Sequence, residues 1–204
     1  MKLYFAPGAC SLASHIALQE AGLAYELERV DLRSHTTELG EDFYRINPKG
    51  YVPALRLDSG DVLTEGVAIL QYVADLAPQS SLAPAAGTMA RYRLQEWLTY
   101  LSSELHKNYG PLFNPAITED AKQAQLERIG SRLEFIAKSL EGRDFLMGEH
   151  FTVADAYLFV MLNWSRGKGP DLARWPTIGA YFERLRTRPG VHAALVTEGL
   201  AKAS

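Results

Sequence analysis

The spacing of apolar residues changes period before the middle of the chain, and that change limits the fold more than any other feature. Up to the Ala/Pro/Ser/Gly-rich run Ala77–Gly87, short alternating segments are interleaved with helical ones. Lys2–Phe5 reads as a strand and Pro7-Gly8 as a turn. Leu12, Ile16 and Leu18 begin a helix that stops at Gly22. Tyr25–Leu32 alternates like a half-buried strand, a stretch of about Glu38–Ile46 reads as a short helix, and Ala54–Leu57 and Val62-Leu63 flank the turn Asp58–Asp61. Glu65–Leu76 adds a helix that is apolar at Val67, Ile69, Leu70, Val73 and Leu76. A βαβ unit followed by a hairpin and a covering helix makes a layered α/β domain, here over residues 1–80.

Beyond Gly87 strand signals largely vanish. Ala90–Tyr109 carries Leu94, Leu98, Leu101 and Leu105 on one helical stripe, and Thr118–Leu140 does the same with Leu126, Ile129, Leu133, Ile136 and Leu140. Thr152 starts a third helix reaching about Ser165; Pro176–Arg186 and Pro189–Leu200 are two more, each with proline in its first turn. The expectation is an all-helical domain over 88–204. Thr152-Val-Ala-Asp155 fits a helix N-terminal box, so Asp155 reads as structural.

Of the 204 residues 47% are hydrophobic and 22% charged, which excludes a disordered or fibrous protein. The net charge of −3 argues against a nucleic-acid binder. No run approaches the length of a membrane span. Cys10 is the one cysteine, so no internal disulfide forms and nothing points to an oxidising compartment. The expected protein is soluble and cytoplasmic.

Cys10 follows a strand and a Pro-Gly turn and opens a helix. A helix N-terminus favours a thiolate, so Cys10 reads either as a reactive thiol or as a small buried hydrophobe. In Cys10-Ser-Leu-Ala13 the fourth position is alanine, which excludes a dithiol mechanism. Ser11 offers a first-turn hydroxyl to an anion, against ordinary helix-start chemistry. Glu65 and the Gly66 N–H suit a ligand bearing an ammonium and a carboxylate at one end. Thr99, Ser103 and His106 follow i, i+4, i+7 with Lys107 beside them; His106 reads as a thiol hydrogen-bonding or proton-moving group, or as a structural histidine. The other histidines show no metal-ligand spacing, and no phosphate-loop or dinucleotide fingerprint occurs.

Five segments in order carry a likeness: Met1–Tyr4 leading to Pro7-Gly8-Ala9-Cys10-Ser11, Asn47–Leu55, Leu63–Ile69, Glu104–Lys107 and Phe151–Asp155. Over essentially its whole length the chain resembles a cytosolic glutathione S-transferase, specifically of the bacterial beta class. The resemblance implies a thioredoxin-like domain followed by a helical bundle, assembled as a homodimer, with glutathione as co-substrate and no metal or tightly bound cofactor. It implies that Pro53 is cis, that the Val52 backbone pairs with the cysteinyl part of glutathione, and that Glu65 and Gly66 hold the γ-glutamyl end. It places Cys10 and His106 near the glutathione sulfur, with Ser11 as a further donor, and Lys107 near a carboxylate. Thr99 and Ser103 would contact glutathione in the neighbouring subunit. An apolar pocket for small hydrophobic electrophiles is expected from Tyr109, Leu112, Phe113 and Trp164.

Two positions depart from that pattern. Phe5 stands where many relatives carry tyrosine, and alternation sends Tyr4 to the opposite face of the strand. Thr99 stands where asparagine is common. The function implied is conjugation of the glutathione thiolate to electrophiles. The alternatives are a monothiol oxidoreductase or peroxidase working through a Cys10–glutathione mixed disulfide, and a non-enzymatic ligand-binding stress protein.

Overall fold

A computed structural model describes residues 1–202. The chain forms two compact units, Met1–Ala83 together with the segment from Arg188 onward, and Pro84–Thr187.

The first unit is a mixed five-stranded sheet with helices, the thioredoxin-like arrangement. Strands β1 (Lys2–Phe5), β2 (Glu26–Asp31), β3 (Thr36–Thr37), β4 (Ala54–Arg56) and β5 (Val62–Thr64) lie in the order β3-β2-β1-β4-β5. β1 and β2 are parallel, with Tyr4 opposite Glu28, and the remaining pairs are antiparallel. Helix α1 (Ser11–Ala21) crosses from β1 to β2, and α2 (Gly66–Leu76) follows β5. Alternation along β1 puts Tyr4 into a cluster with Val30, Phe43, Ile46, Val52 and Ala54. Phe5 takes the other face, 6.2 Å from the His15 ring on α1.

Two expectations change here. Glu38–Ile46 forms no α-helix. It holds a bridge from Thr36 to Asp42 and a single 3₁₀ turn, Phe43–Arg45, begun by the Asp42 carboxylate accepting from the Tyr44 N–H. The apolar spacing that suggested a helix arises because Phe43 and Ile46 both plug the sheet's core. The last helix, α8 (Pro189–Thr197), packs on α1 and belongs with the sheet, whereas the sequence pattern grouped it with the helical half. That packing buries α1 almost all round, Ser11, Ser14 and His15 included. Arg188 fixes the contact with a two-pronged pair to Glu20, Nε–Oε1 3.2 Å and Nη2–Oε2 2.6 Å.

The second unit is helical: α3 (Met89–Tyr100), a π-helical turn Leu101–His106, the short α4 (Lys107–Tyr109), α5 (Glu119–Ser139), α6 (Val153–Ser165) and α7 (Pro176–Arg186). The stripe read as one helix over Ala90–Tyr109 is thus interrupted. The π turn widens the ladder at Thr99, whose carbonyl accepts from both the Ser102 and Ser103 hydroxyls at 3.0 Å. Asp155 is structural, as its spacing suggested: its carboxylate accepts from the Thr152 N–H at 2.8 Å and hydroxyl at 2.9 Å. It also accepts from the Leu146 N–H at 2.8 Å and the Tyr181 hydroxyl at 2.7 Å, two partners that local sequence could not reveal. Among the described residues no helix is long and apolar enough to cross a membrane.

Candidate functional site

In the first unit, the turn after β1 delivers Cys10 to the N-terminus of α1. Gly8 in that turn has φ +71°, which a Cβ would oppose. Its N–H donates to the Glu198 carboxylate at 2.8 Å, whose other oxygen lies 2.9 Å from His15 Nδ1. Glu198, more than 180 residues away in sequence, therefore anchors the loop that carries Cys10.

The Cys10 thiol donates to the Val52 carbonyl at 3.1 Å. Burial outweighs the helix-terminal N–H groups and pushes its pKa up to about 11, with the Glu65 charge adding to the rise. Near neutral pH Cys10, of intermediate exposure, is therefore a protonated thiol. The Ser11 hydroxyl is buried and taken up locally: it accepts from the Ala6 N–H at 3.2 Å and lies 3.3 Å from the Ala6 carbonyl. It braces the turn rather than facing a ligand, because its place in the first turn of α1 points it back at β1.

The Val52-Pro53 peptide is cis. The loop before it is ordered by Asn47, whose amide donates to the Tyr51 carbonyl at 2.6 Å and whose oxygen accepts from the Lys49 N–H at 3.2 Å. A Cβ on Gly66 would lie 3.9 Å from Pro53, in ordinary contact, so the start of α2 abuts this edge. The first N–H groups of α2 precede any partner within the helix. Glu65 precedes them with φ +70°, a conformation a non-glycine residue adopts only at a cost. Its exposed carboxylate pairs with Lys49 at 2.5 Å, and Lys49 also donates to Thr64 at 2.7 Å. Lys49 escaped the sequence reading, since its distance from Glu65 in sequence gave no signal. Cys10, Val52, Pro53, Glu65 and Gly66 thus lie close together on one edge of this unit.

In the second unit, Thr99 and Ser103 are exposed, and Lys107 is exposed beside a half-buried His106. Burial and the Lys107 charge hold the His106 pKa below its usual range, so the ring is neutral near pH 7. His106 Nδ1 lies 2.6 Å from the Tyr157 hydroxyl. Trp164 packs against the rings of His106 at 5.0 Å, Tyr109 at 5.5 Å and Phe113 at 5.3 Å. The four residues expected to form an apolar pocket divide here. Phe113 is 48% exposed and Trp164 half-buried, whereas Tyr109 and Leu112 are buried. The Tyr109 hydroxyl is spent on Ser165 at 2.6 Å, and its pKa is pushed up to about 12 by burial. Tyr109 thus supports Trp164 from the buried side, and Leu112 is a core residue.

Tyr4 offers no hydroxyl to this chemistry, being buried beneath Arg56 on the opposite face of the sheet. Among the described residues no group of His, Cys, Asp and Glu is placed to hold a metal.

Residues 8–76 match the family model for the glutathione S-transferase N-terminal domain, and residues 94–189 match that for its C-terminal domain. Glutathione S-transferase GstA of Escherichia coli O157:H7 is 44% identical, the match covering 98% of this chain and 100% of that protein. A sphingomonad glutathione S-transferase solved in complex with glutathione superposes with a TM-score of 0.95 at 53% identity, covering 98% of this chain and 100% of the other. The bacterial beta-class enzyme of Sphingomonas chungbukensis does so at 0.95 and 49%, with the same coverage. Sequence and fold agree over nearly the full length of both partners, so the chain belongs to the glutathione S-transferase family.

Proposed function

We propose that the protein conjugates the thiolate of glutathione to small hydrophobic electrophiles. The observation that carries this reading is the grouping on one edge of the first unit. The backbone at the Val52-Pro53 bond, the α2 N-terminus at Gly66 and the Glu65 carboxylate suit a ligand that is a cysteinyl peptide with a zwitterionic head. The Val52 N–H pairs with the cysteinyl part; its carbonyl has a second lone pair beside the one Cys10 uses. The Gly66 N–H holds the γ-glutamyl carboxylate and Glu65 the ammonium.

A thiol near pKa 8.5 reacts as its thiolate, so catalysis consists of stabilising that anion and excluding water from the electrophile. His106, neutral near pH 7, is a hydrogen-bonding group of a kind that suits a thiolate. The half-exposed rings of Trp164 and Phe113 supply the apolar surface for the electrophile. Cys10 acts as a neutral thiol. Its proton is held by Val52, so donation to a ligand sulfur requires rotation about the Cβ–Sγ bond. A Cys10–glutathione mixed disulfide would need a Cys10 thiolate, which burial opposes. We place the protein in the cytoplasm as a homodimer; its lone cysteine suits a reducing compartment, and exposed Thr99 and Ser103 suit contact with a neighbouring subunit's ligand.

The test is glutathione thioether formation with an activated aryl halide, comparing the native protein with Cys10→Ala. Turnover by both is expected. Turnover by the native protein alone makes Cys10 essential to transfer, and turnover by neither refutes the proposal.

A further inference from the structure

Lys49 stands in a turn whose backbone is fixed independently of its side chain. Asn47 Oδ1 accepts from the Lys49 N–H at 3.2 Å, and the Asn47 carbonyl accepts from the Gly50 N–H at 2.8 Å. Gly50 has φ +70°, and a Cβ there would lie 2.7 Å from the Tyr44 ring, which packs on His35 with centroids 4.6 Å apart. From this turn the Lys49 side chain runs to the junction of β5 and α2, where Nζ donates to the Thr64 hydroxyl at 2.7 Å and to Glu65 Oε1 at 2.5 Å. Glu65 is fixed in turn, because its carbonyl accepts from the Ala68 and Ile69 N–H groups at 3.0 Å. Two segments with ordered backbones thus bring one ammonium onto one carboxylate.

That ion pair does little for the fold. Its side chains are 45% and 70% exposed, and exposed pairs contribute little to stability. Its position bears on recognition instead. Glu65 is the carboxylate that the transferase reading gives to the ligand's ammonium, and a primary ammonium of the chain itself is already on it. A carboxylate has two oxygens and accepts more than one donor. Two ammonium groups drawn to the same carboxylate nevertheless repel each other, and each screens the charge that attracts the other.

The geometry points to Lys49 as a specificity-determining residue: it competes with the ligand's amino group for Glu65 and so sets how strongly the site recognises that group. The inference rests on the glutathione reading of Glu65. Its consequence is a wider substrate class. A ligand ammonium gains only the part of the carboxylate that Lys49 does not hold, whereas a ligand without one leaves the Lys49–Glu65 pair undisturbed. The site therefore discriminates weakly between a γ-glutamyl head and the same acyl head lacking its amino group, and it accepts cysteinyl peptides of both kinds.

The test is a cycle of four dissociation constants measured by titration calorimetry at low salt. Glutathione and its analogue lacking the α-amino group are each titrated into the native protein and into Lys49→Met. The ratio of the analogue's Kd to that of glutathione reads the contribution of the amino group. It is expected to rise about two- to fivefold in Lys49→Met, the range for an exposed ion pair, and to keep its native value in Lys49→Arg, which retains the charge. An unchanged ratio in Lys49→Met overturns the proposal. So does a lowered one, which would make Lys49 a support of Glu65 rather than its competitor. Should Lys49→Met fail to fold, Lys49→Gln, equally uncharged, gives the same reading. The glutathione reading fails separately if the native protein does not bind glutathione, or if Glu65→Ala leaves both native constants as they were.

Discussion

Exchange of the Cys10 thiol with a small methanethiosulfonate reagent, run on the protein without glutathione, reads one group because the chain has one cysteine. With burial holding its pKa at about 11, roughly 0.1% of the thiol is ionised at pH 8. An unperturbed thiol of pKa ~8.5 is about a quarter ionised, some 200-fold more. Part of that deficit is returned, because a more basic thiolate is the better nucleophile. A Brønsted slope of ~0.4–0.5 over about 2.5 units gives back ~10–20-fold. Cys10 should therefore react about 10–20-fold more slowly than free glutathione at pH 8. The shape of the profile is the sharper signature. The rate should climb tenfold per pH unit to at least about pH 10, followed by mass spectrometry of the single adduct. Steric shielding lowers every rate alike and leaves that slope intact. A rate that levels off by pH 8 would refute the reasoning, since the helix-terminal N–H groups would then have overcome burial.

Three further outcomes are expected. Glu65→Ala should weaken glutathione binding by about 1.5–3 kcal/mol, the range for a charged hydrogen bond, measured by titration calorimetry; an unchanged Kd would mean the γ-glutamyl end lies elsewhere. Asp155→Ala leaves four buried donors unpaired, from Leu146, Thr152 and Tyr181. At ~1–3 kcal/mol per donor the loss should be about 4 kcal/mol or more by urea unfolding, and a loss under about 1 kcal/mol contradicts this account. His106 has its folded pKa lowered by burial and then by Lys107, so its contribution to stability is present above the unfolded value of ~6.5 and lost as pH falls through the folded one. His106→Asn should flatten the decline of the urea midpoint below about pH 6.5; a slope identical to that of the native protein would count against it.

The succession of strands and helices was legible because each element carries its own period. The Thr152–Asp155 cap was legible because its partners are three residues apart. What escaped depends on distance in the chain. Phe43 and Ile46 mimic a helix because the core they fill is made by other segments. The π turn at Leu101–His106 keeps the leucines buried while shifting the ladder, so apolar spacing alone hid it. The position of Cys10 advertised a helix terminus, yet its ionisation is set by burial beside the Val52 carbonyl, in the loop that leads into β4. Tyr157 and Glu198 have no local signature at all: each meets its partner from more than fifty residues away.

The discontinuity of the first unit has a consequence for how the protein is made. A ribosome delivers the sheet strands and Cys10 early, then the whole helical unit, and only afterwards the segment from Arg188 onward. Until that segment emerges, the outer face of α1 lies bare, Glu20 lacks Arg188, and Gly8 lacks the carboxylate of Glu198. The helical unit, being continuous, can fold first. During synthesis the nascent chain therefore carries an incomplete loop around Cys10 until the segment from Arg188 onward emerges to lock it.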